Sequence, residues 1–278
     1  MSILFIALYT AACYHLAMES RKYYAKIYAK ANLSLAVTGR RGDMHTLDMI
    51  VCPFEDLFDE VEFIPDDTDE LKLKIYKSFD GFDPERFEKA FRAKLDKLAR
   101  ELNVYGTLRV NKGIVLGAGL GGSSAVLAGA VNAMQDYCRE RGMEHGLDAE
   151  FLCSLGSDVP CMCMGGICRV RGVGEIVEPI ECKKEIQLKA VIAKGGSDTA
   201  KCYALYDEMS KNTALECVKL RLPASVEEAV LLARNDLSAP AEILNPNIKE
   251  VREELEKEGH GAVIMSGSGS CVLGVTLK

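Results

Sequence analysis

One stretch near the middle of the chain, Gly117-Ala118-Gly119-Leu120-Gly121-Gly122-Ser123-Ser124-Ala125, constrains the fold more than any other. All but Leu120 are small residues, more than a tight turn requires. Glycine reaches φ > 0 and carries no Cβ to hold a ligand away from the backbone. A β-rich run, Leu108-Arg109-Val110 to Ile114-Val115-Leu116, precedes the stretch, and the small-residue pattern Val126–Tyr137 predicts a helix after it. A glycine loop opening into a helix N-terminus gathers unpaired N–H groups and a partial positive charge at one spot, which favours an anion, most often a phosphate.

Three readings of the loop compete. A Walker A loop is excluded, because no Gly-Lys-Ser/Thr follows the glycines. Gly117, Gly119 and Gly122 match GxGxxG literally. A dinucleotide fold, however, places that fingerprint in its first βαβ unit, with an acid about twenty residues on. Here the loop is mid-chain, and Asp136 and Glu140 come too early, inside the helix. A bare structural turn is the third reading. The hydroxyl pair Ser123-Ser124 is superfluous for a dinucleotide but suits phosphate oxygens or a metal ion.

The rest of the chain supports a mixed architecture. Alternation predicts strands over 24–37, 45–54, 61–64 and 71–75, then a helix over 84–102 with Phe87, Ala90, Phe91, Leu95 and Leu98 on one face. A helix at about 147–154 runs into Leu155-Gly156-Ser157-Asp158-Val159-Pro160. Strands over 167–170, 175–180 and 188–193 follow, then helices at about 199–209, 225–233 and 247–258, and a strand pair around Met265-Ser266-Gly267-Ser268-Gly269-Ser270-Cys271. Strands and helices without steady βα alternation predict an α+β fold. The pattern changes near residue 170, which suggests two domains, 18–170 and 171–278.

At 278 residues, 48% hydrophobic and 27% charged, the chain is long enough for an ample core. A net charge of −7 and the lack of a basic stripe argue against a nucleic-acid partner. The eleven cysteines are odd in number and irregularly spaced. Cys161-Met162-Cys163 with Cys168 has neither CxxC pairs nor a nearby histidine, so buried free thiols in a reducing cytoplasm are expected rather than disulfides or a metal. Residues 1–17 are apolar but lack the basic start of a signal peptide, and Tyr and His interrupt them. An over-long start before Met18 is expected, and no membrane partner.

At this point a resemblance emerges. Gly-Leu-Gly-Gly-Ser-Ser-Ala after a Lys-x-Ile strand is similar to the phosphate loop of the GHMP kinases, which phosphorylate small alcohols with ATP. Ala29-Lys30-Ala31-Asn32-Leu33-Ser34-Leu35, Thr38-Gly39-Arg40-Arg41 and His45-Thr46-Leu47 resemble the first motif of the subfamily that acts on a cytidine-diphosphate-linked methylerythritol. So do Leu155–Pro160, Gly172-Val173-Gly174-Glu175, Asn235-Asp236-Leu237 and Met265–Ser270, in order, over about residues 24 to 275.

The resemblance implies an N-terminal domain like the second domain of ribosomal protein S5 and a ferredoxin-like C-terminal domain. The reaction implied is transfer of the γ-phosphoryl of ATP, with Mg²⁺, to a 2-hydroxyl in non-mevalonate isoprenoid synthesis, by a cytoplasmic monomer or homodimer. Another alcohol substrate, or a degenerate nucleotide-binding homologue, is the alternative.

By resemblance Asp158 is the catalytic aspartate and Lys30 its paired lysine. On residues alone, Asp158 is a turn or cap residue, and Lys26 and Lys30 are exposed strand residues. Only Lys30 is followed two positions later by an asparagine, Asn32. Gly117, Ala118, Gly119, Leu120, Gly121, Gly122, Ser123 and Ser124 would hold ATP, with Ser124 also a candidate metal ligand. Lys112 aligns with a lysine near the nucleotide, or is a solvated turn lysine. Asn32, His45 and Tyr203 would bind the substrate, Tyr203 by stacking on cytosine. The sequence departs from the family at Gly42-Asp43-Met44-His45, which lacks the usual tyrosine, at Val115 for proline, at Ala125 for Asp or Asn, and by one glycine fewer before the serines.

Overall fold

Residues 23–143, 146–212 and 222–278 are described by a computed structural model, so Cys13, Cys217 and the expected start at Met18 lie outside the described residues. Among the described residues the first element is β1, Tyr24–Arg41, which turns back through Gly42-Asp43 into β2, Met44–Pro65. In the first half of β1, Ala25 and Ile27 face inward while Lys26 faces out; from Ala29 to Val37 every residue is buried. A strand covered on both faces reads as a continuous apolar run, and Lys30, Asn32 and Ser34 are its polar exceptions.

Where the sequence pattern predicts separate strands over 45–54 and 61–64, β2 is continuous. β1 pairs with it from Tyr24↔Glu62 to Arg41↔Met44, and register shifts at Tyr28/Ala29, Asn32/Ser34 and Val37/Gly39 absorb the curvature. The other edge of β2 is shared: Leu47–Val51 pairs with β5, Cys168–Gly172, and Glu60–Pro65 with β4, Gly106–Asn111. Between these segments Glu55 and Asp56 are exposed, which breaks the alternation. β3, Leu71–Lys77, runs parallel to β4, and β6, Ile176–Pro179, pairs antiparallel with β5.

Helix α1, Pro84–Leu102, starts where Asp83 accepts from the Arg86 amide and ends at Asn103 in the left-handed region. Its buried face is Phe87, Phe91, Leu95, Leu98, Ala99 and Leu102; Ala90, expected there, is exposed. Helix α2, Gly122–Glu140, packs on β1 and β2 through Ala125 to Val131. Its small residues are a packing requirement, since a Cβ on Gly129 would sit 2.4 Å from Val61 Cγ2. Short helices α3, Ala149–Leu155, and α4, Val159–Met164, lead into β5.

The second sheet is antiparallel, in the order β7 (Ile186–Ile192), β9 (Cys271–Leu277), β8 (Ala262–Met265). The chain changes sheets between Pro179 and Ile186. Helices α5, Thr199–Asn212, α6, Val226–Leu232, α7, Ser238–Leu244, and α8, Asn247–Lys257, complete this half, with α8 against β8 and β9. The fold is α+β, as the pattern predicts. Among the described residues no helix is long and apolar enough to cross a membrane. The described cysteines are free, and burial pushes the thiols of Cys163 and Cys271 up to about 12, which keeps them protonated and inert.

Candidate active site

The glycine loop is fixed through its carbonyl groups. Ser197 N donates to Gly117 O at 3.1 Å and Cys271 N to Ala118 O at 3.0 Å. Ser266 Oγ donates to Gly119 O at 2.9 Å, and Lys30 N to Leu120 O at 3.0 Å. Four consecutive carbonyls are thus taken up by three distant segments, the turn between β8 and β9 supplying two of the donors. The uncapped first turn of α2, after Gly121 at φ +76 with no side-chain cap, supplies the amide donors of an anion site. The fit is close: a Cβ on Gly119 would lie 2.0 Å from Ser266 O and 3.0 Å from Gly269 O.

The opposite wall is the turn after β8. Asn235 Nδ2 donates to Met265 O and Gly267 O at 2.7 and 2.8 Å, and Ser266 Oγ accepts from Asn32 N at 3.1 Å. Asn235 is held in turn on β1, where Leu35 N bonds Arg234 O at 2.8 Å and Asp236 N bonds Leu35 O at 3.0 Å. Between loop and turn lies a cleft of about 180 Å³ lined by Lys30, Gly119, Gly121, Ser123, Asp158 and Tyr203, with Leu35, Leu47, Met49 and Leu237 as its apolar wall.

Lys30 and Asp158 meet in this cleft. Lys30 Nζ lies 3.8 Å from Asp158 Oδ2, and the two side chains are 7% and 24% exposed. Lys30 Nζ also donates to Asn32 Oδ1, whose side chain is buried. Asp158 precedes α4, yet its carboxylate makes no capping bond. The geometry therefore leaves the carboxylate facing the cleft beside a fixed ammonium. Lys26, by contrast, stays outside, 3.8 Å over the Phe58 ring.

Other expected site residues are not all brought together. Ser123 lines the cleft, whereas Ser124 is buried against Gly156 and is not among the lining residues. Lys112 does not reach the cleft. Its fully buried ammonium lies 2.7 Å from Asp59 Oδ2 and donates to Ile114 O. Asp59 Oδ1 accepts from Gly113 N and Ile114 N, both at 2.9 Å. Burial pushes the Asp59 carboxyl up against the lowering effect of Lys112, and pushes the Lys112 ammonium down. β4 ends at Asn111, short of the β-rich run through 116, and at Gly113 and Ile114 a carboxylate, not a neighbouring strand, takes the amides. Asp59 carried no motif; it is one of several acids in this strand, paired with Glu60 between Phe58 and Val61.

His45 and Tyr203 come together, but as a stacked pair with centroids 4.6 Å apart and planes 21° apart. No third ring fits between them. Tyr203 also lines the cleft. Sequence reasoning missed Asp207, which lies 2.8 Å from His45 Nε2; its spacing of i+4 from Tyr203 puts both on one face of α5.

Family models match both parts of the chain, the GHMP kinases N terminal domain at residues 86–166 and the GHMP kinases C terminal model at 214–278. The 4-diphosphocytidyl-2-C-methyl-D-erythritol kinase of Desulfitobacterium hafniense strain Y51 is 31% identical, over 89% of this chain and 85% of the relative. The enzyme of that name from Rhizobium johnstonii is 30% identical, over 96% and 86%. A crystal structure of 4-(cytidine 5'-diphospho)-2C-methyl-D-erythritol kinase superposes with TM-score 0.63 at 26% identity, covering 91% of this chain and 89% of the other. Methanococcus jannaschii mevalonate kinase, with TM-score 0.56 and 15% identity over 93% and 92%, shares the fold. The chain belongs to the 4-diphosphocytidyl-2-C-methyl-D-erythritol kinase family of the GHMP kinases.

Proposed function

We propose that this chain transfers the γ-phosphoryl group of ATP to the 2-hydroxyl of 4-diphosphocytidyl-2-C-methyl-D-erythritol. The observation that carries the reading is the Lys30–Asp158 pair at 3.8 Å in the cleft beside the glycine loop. Phosphoryl transfer through a loose transition state asks mainly for in-line positioning and charge stabilisation. The first-turn amides of α2 hold the nucleotide phosphates without reorganising. The Asp158 carboxylate accepts the hydroxyl proton as the new O–P bond forms. The Lys30 ammonium, fixed by Asn32, holds that carboxylate in place and offsets charge gathering on the transferred group.

Mg²⁺ fits as a companion of the nucleotide. Among the described residues no group of three or more His, Cys, Asp or Glu gathers to cage a metal. The cleft offers the Asp158 carboxylate and the Ser123 hydroxyl, a donor set suited to an ion that keeps waters and binds phosphates plus one or two protein oxygens. When bound, the ion would neutralise phosphate charge; Ser123, not the buried Ser124, is the hydroxyl placed to hold it. The cytidine end belongs near His45 and Tyr203, stacked against that pair and not between its rings.

In the same proposal, residues 18–170 form the ATP-binding unit and 171–278 the second, with β6 joining the first sheet by its pairing, in a cytoplasmic monomer or homodimer. An ATP-coupled assay on a substrate panel tests the reading. Turnover is expected with the cytidine diphosphate substrate and not with the non-cytidylated methylerythritol phosphate. Turnover of a different alcohol alone would replace this reading with that of another GHMP kinase.

A further inference from the structure

The segment Asn235-Asp236-Leu237 stands out in the sequence, yet Asn235 is buried and does not line the cleft. Its side chain is nonetheless fully engaged. The amide nitrogen donates to Met265 O at 2.7 Å and to Gly267 O at 2.8 Å, and the amide oxygen accepts from Leu237 N at 2.9 Å. A side-chain amide has two donor hydrogens, and both are spent on one turn.

That turn is where the Lys30 ammonium rests. Gly267 stands at φ +57, and a Cβ there would lie 3.2 Å from Lys30 Nζ and 3.1 Å from Gly119 O. Ser266, just before it, is tied across to β9, its N donating to Cys271 O at 2.9 Å. Gly267 lies beyond that tie, and Asn235 Nδ2 is the donor that takes its carbonyl.

Asn235 is itself anchored on the strand that carries Lys30. Leu35 N donates to Arg234 O at 2.8 Å, Asp236 N to Leu35 O at 3.0 Å and Val37 N to Asp236 Oδ2 at 2.9 Å. The lysine and the turn that faces it therefore share one reference, β1, and the Asn235 amide is the link between them.

We infer that Asn235 is a positioning residue for phosphoryl transfer. By holding Gly267 O it sets the wall against which the Lys30 ammonium is placed, 3.8 Å from Asp158 Oδ2. The inference rests on the reading that Lys30 and Asp158 carry the transfer.

Asn235→Asp tests it. The carboxylate has the same shape and still accepts from Leu237 N, but it offers no hydrogen to either turn carbonyl. A reacting group misplaced by about 1 Å costs about 10²-fold, so kcat for the cytidine substrate should fall by about 10–100-fold in the folded variant. The KM for ATP should change by less than about threefold, because Ser266 keeps its bond to Gly119 O.

The decisive readout is a cycle with Lys30→Met, followed in single-turnover assays with enzyme in excess. A residue that acts through Lys30 has nothing left to position in that background, so Asn235→Asp should cost less than about twofold there. A merely structural Asn235 would lower Tm and leave kcat of the folded variant at the wild-type value, or would cut both backgrounds alike. Either result overturns the inference while leaving the kinase activity intact. Should Asn235→Asp not fold, Gly267→Ala takes its place. Its methyl, 3.2 Å from Lys30 Nζ, should lower kcat in the wild type and not in Lys30→Met; an unchanged kcat, or equal losses in both, overturns the inference. If the wild type phosphorylates a different alcohol only, the cytidine reading fails and the same cycle, run on that alcohol, decides this one. A wild type that phosphorylates no alcohol overturns the functional reading and this inference together.

Discussion

Lys112→Met should unfold the protein more readily without acting as the loss of a nucleotide contact. Both partners of the Lys112–Asp59 pair are fully buried, 2.7 Å apart, and Asp59 also accepts two backbone amides. Removing the lysine leaves a carboxylate with two donors and no countercharge. Breaking one side of a buried pair costs about 3–5 kcal/mol. At about 2–4 °C per kcal/mol for a domain of roughly this size, Tm should fall by about 6–20 °C. Asp59→Asn should cost a comparable amount, since it strands the ammonium. Asp59→Asn combined with Lys112→Met should cost clearly less than the two losses added, because the double variant removes both charges and an asparagine oxygen still accepts an amide. Calorimetry or denaturant unfolding of the four proteins reads the cycle. A Lys112→Met protein with wild-type Tm and a strongly raised KM for ATP would refute the argument and return Lys112 to the nucleotide site.

Asp158→Asn should lower kcat by about 10²–10⁴-fold with little change in the KM for ATP, as expected for a role confined to the transition state; near-normal kcat in steady-state assays would make Asp158 a turn residue. Gly119→Ala should weaken both folding and ATP binding, because its Cβ would meet the backbone of the turn between β8 and β9 and its φ of +74 disfavours a side chain; unchanged Tm and KM would contradict the packing. Acidification should weaken the tie between the β1–β2 hairpin and the β5–β6 turn. Burial alone would raise the Glu175 carboxyl, but hydrogen bonds from its own and the Val173 backbone and from Arg41 hold it below the ordinary range. A carboxyl lower in the folded state stabilises above its unfolded pKa, about 4.3, and that stability is lost as pH falls through the folded value. Glu175→Gln should therefore flatten the acid limb of a Tm–pH curve, and an unaltered limb would show that the tie carries no proton linkage.

Much of the fold was legible where one period ruled locally. The α1 boundaries follow from Asp83, Pro84 and the heptad-like Phe87, Phe91, Leu95 and Leu98, and the structure ends the helix at Asn103, whose left-handed conformation closes it. α4 and α7 were not legible. Each is seven residues or shorter with a proline inside it, Pro160 and Pro240, so neither periodicity nor propensity marks it. The continuity of β2 was hidden for a different reason. Its exposed middle, Glu55 and Asp56, lies between the segments paired by β5 and β4, so burial there depends on neighbours that the local sequence does not name.

The site divides along the same physical line. The glycine loop was visible because close packing restricts its residue types: at Gly119 a Cβ has no room, and at Gly121 one would lie 2.9 Å from Lys30 Cγ. What holds the loop was nearly invisible, because three of its four carbonyl partners are backbone amides, those of Ser197, Cys271 and Lys30. An amide donor exists at every residue but proline, so its use leaves no mark on residue choice. Ser266 is the exception, a side chain whose hydroxyl links Gly119 O to Asn32 N, and it lies in the terminal glycine turn that the sequence did single out. The legible residues are thus those where the backbone demands a particular side chain or demands none. The Asp59–Lys112 and Asp207–His45 pairs, in which each residue answers to another more than fifty positions away, emerge only when the fold brings them together.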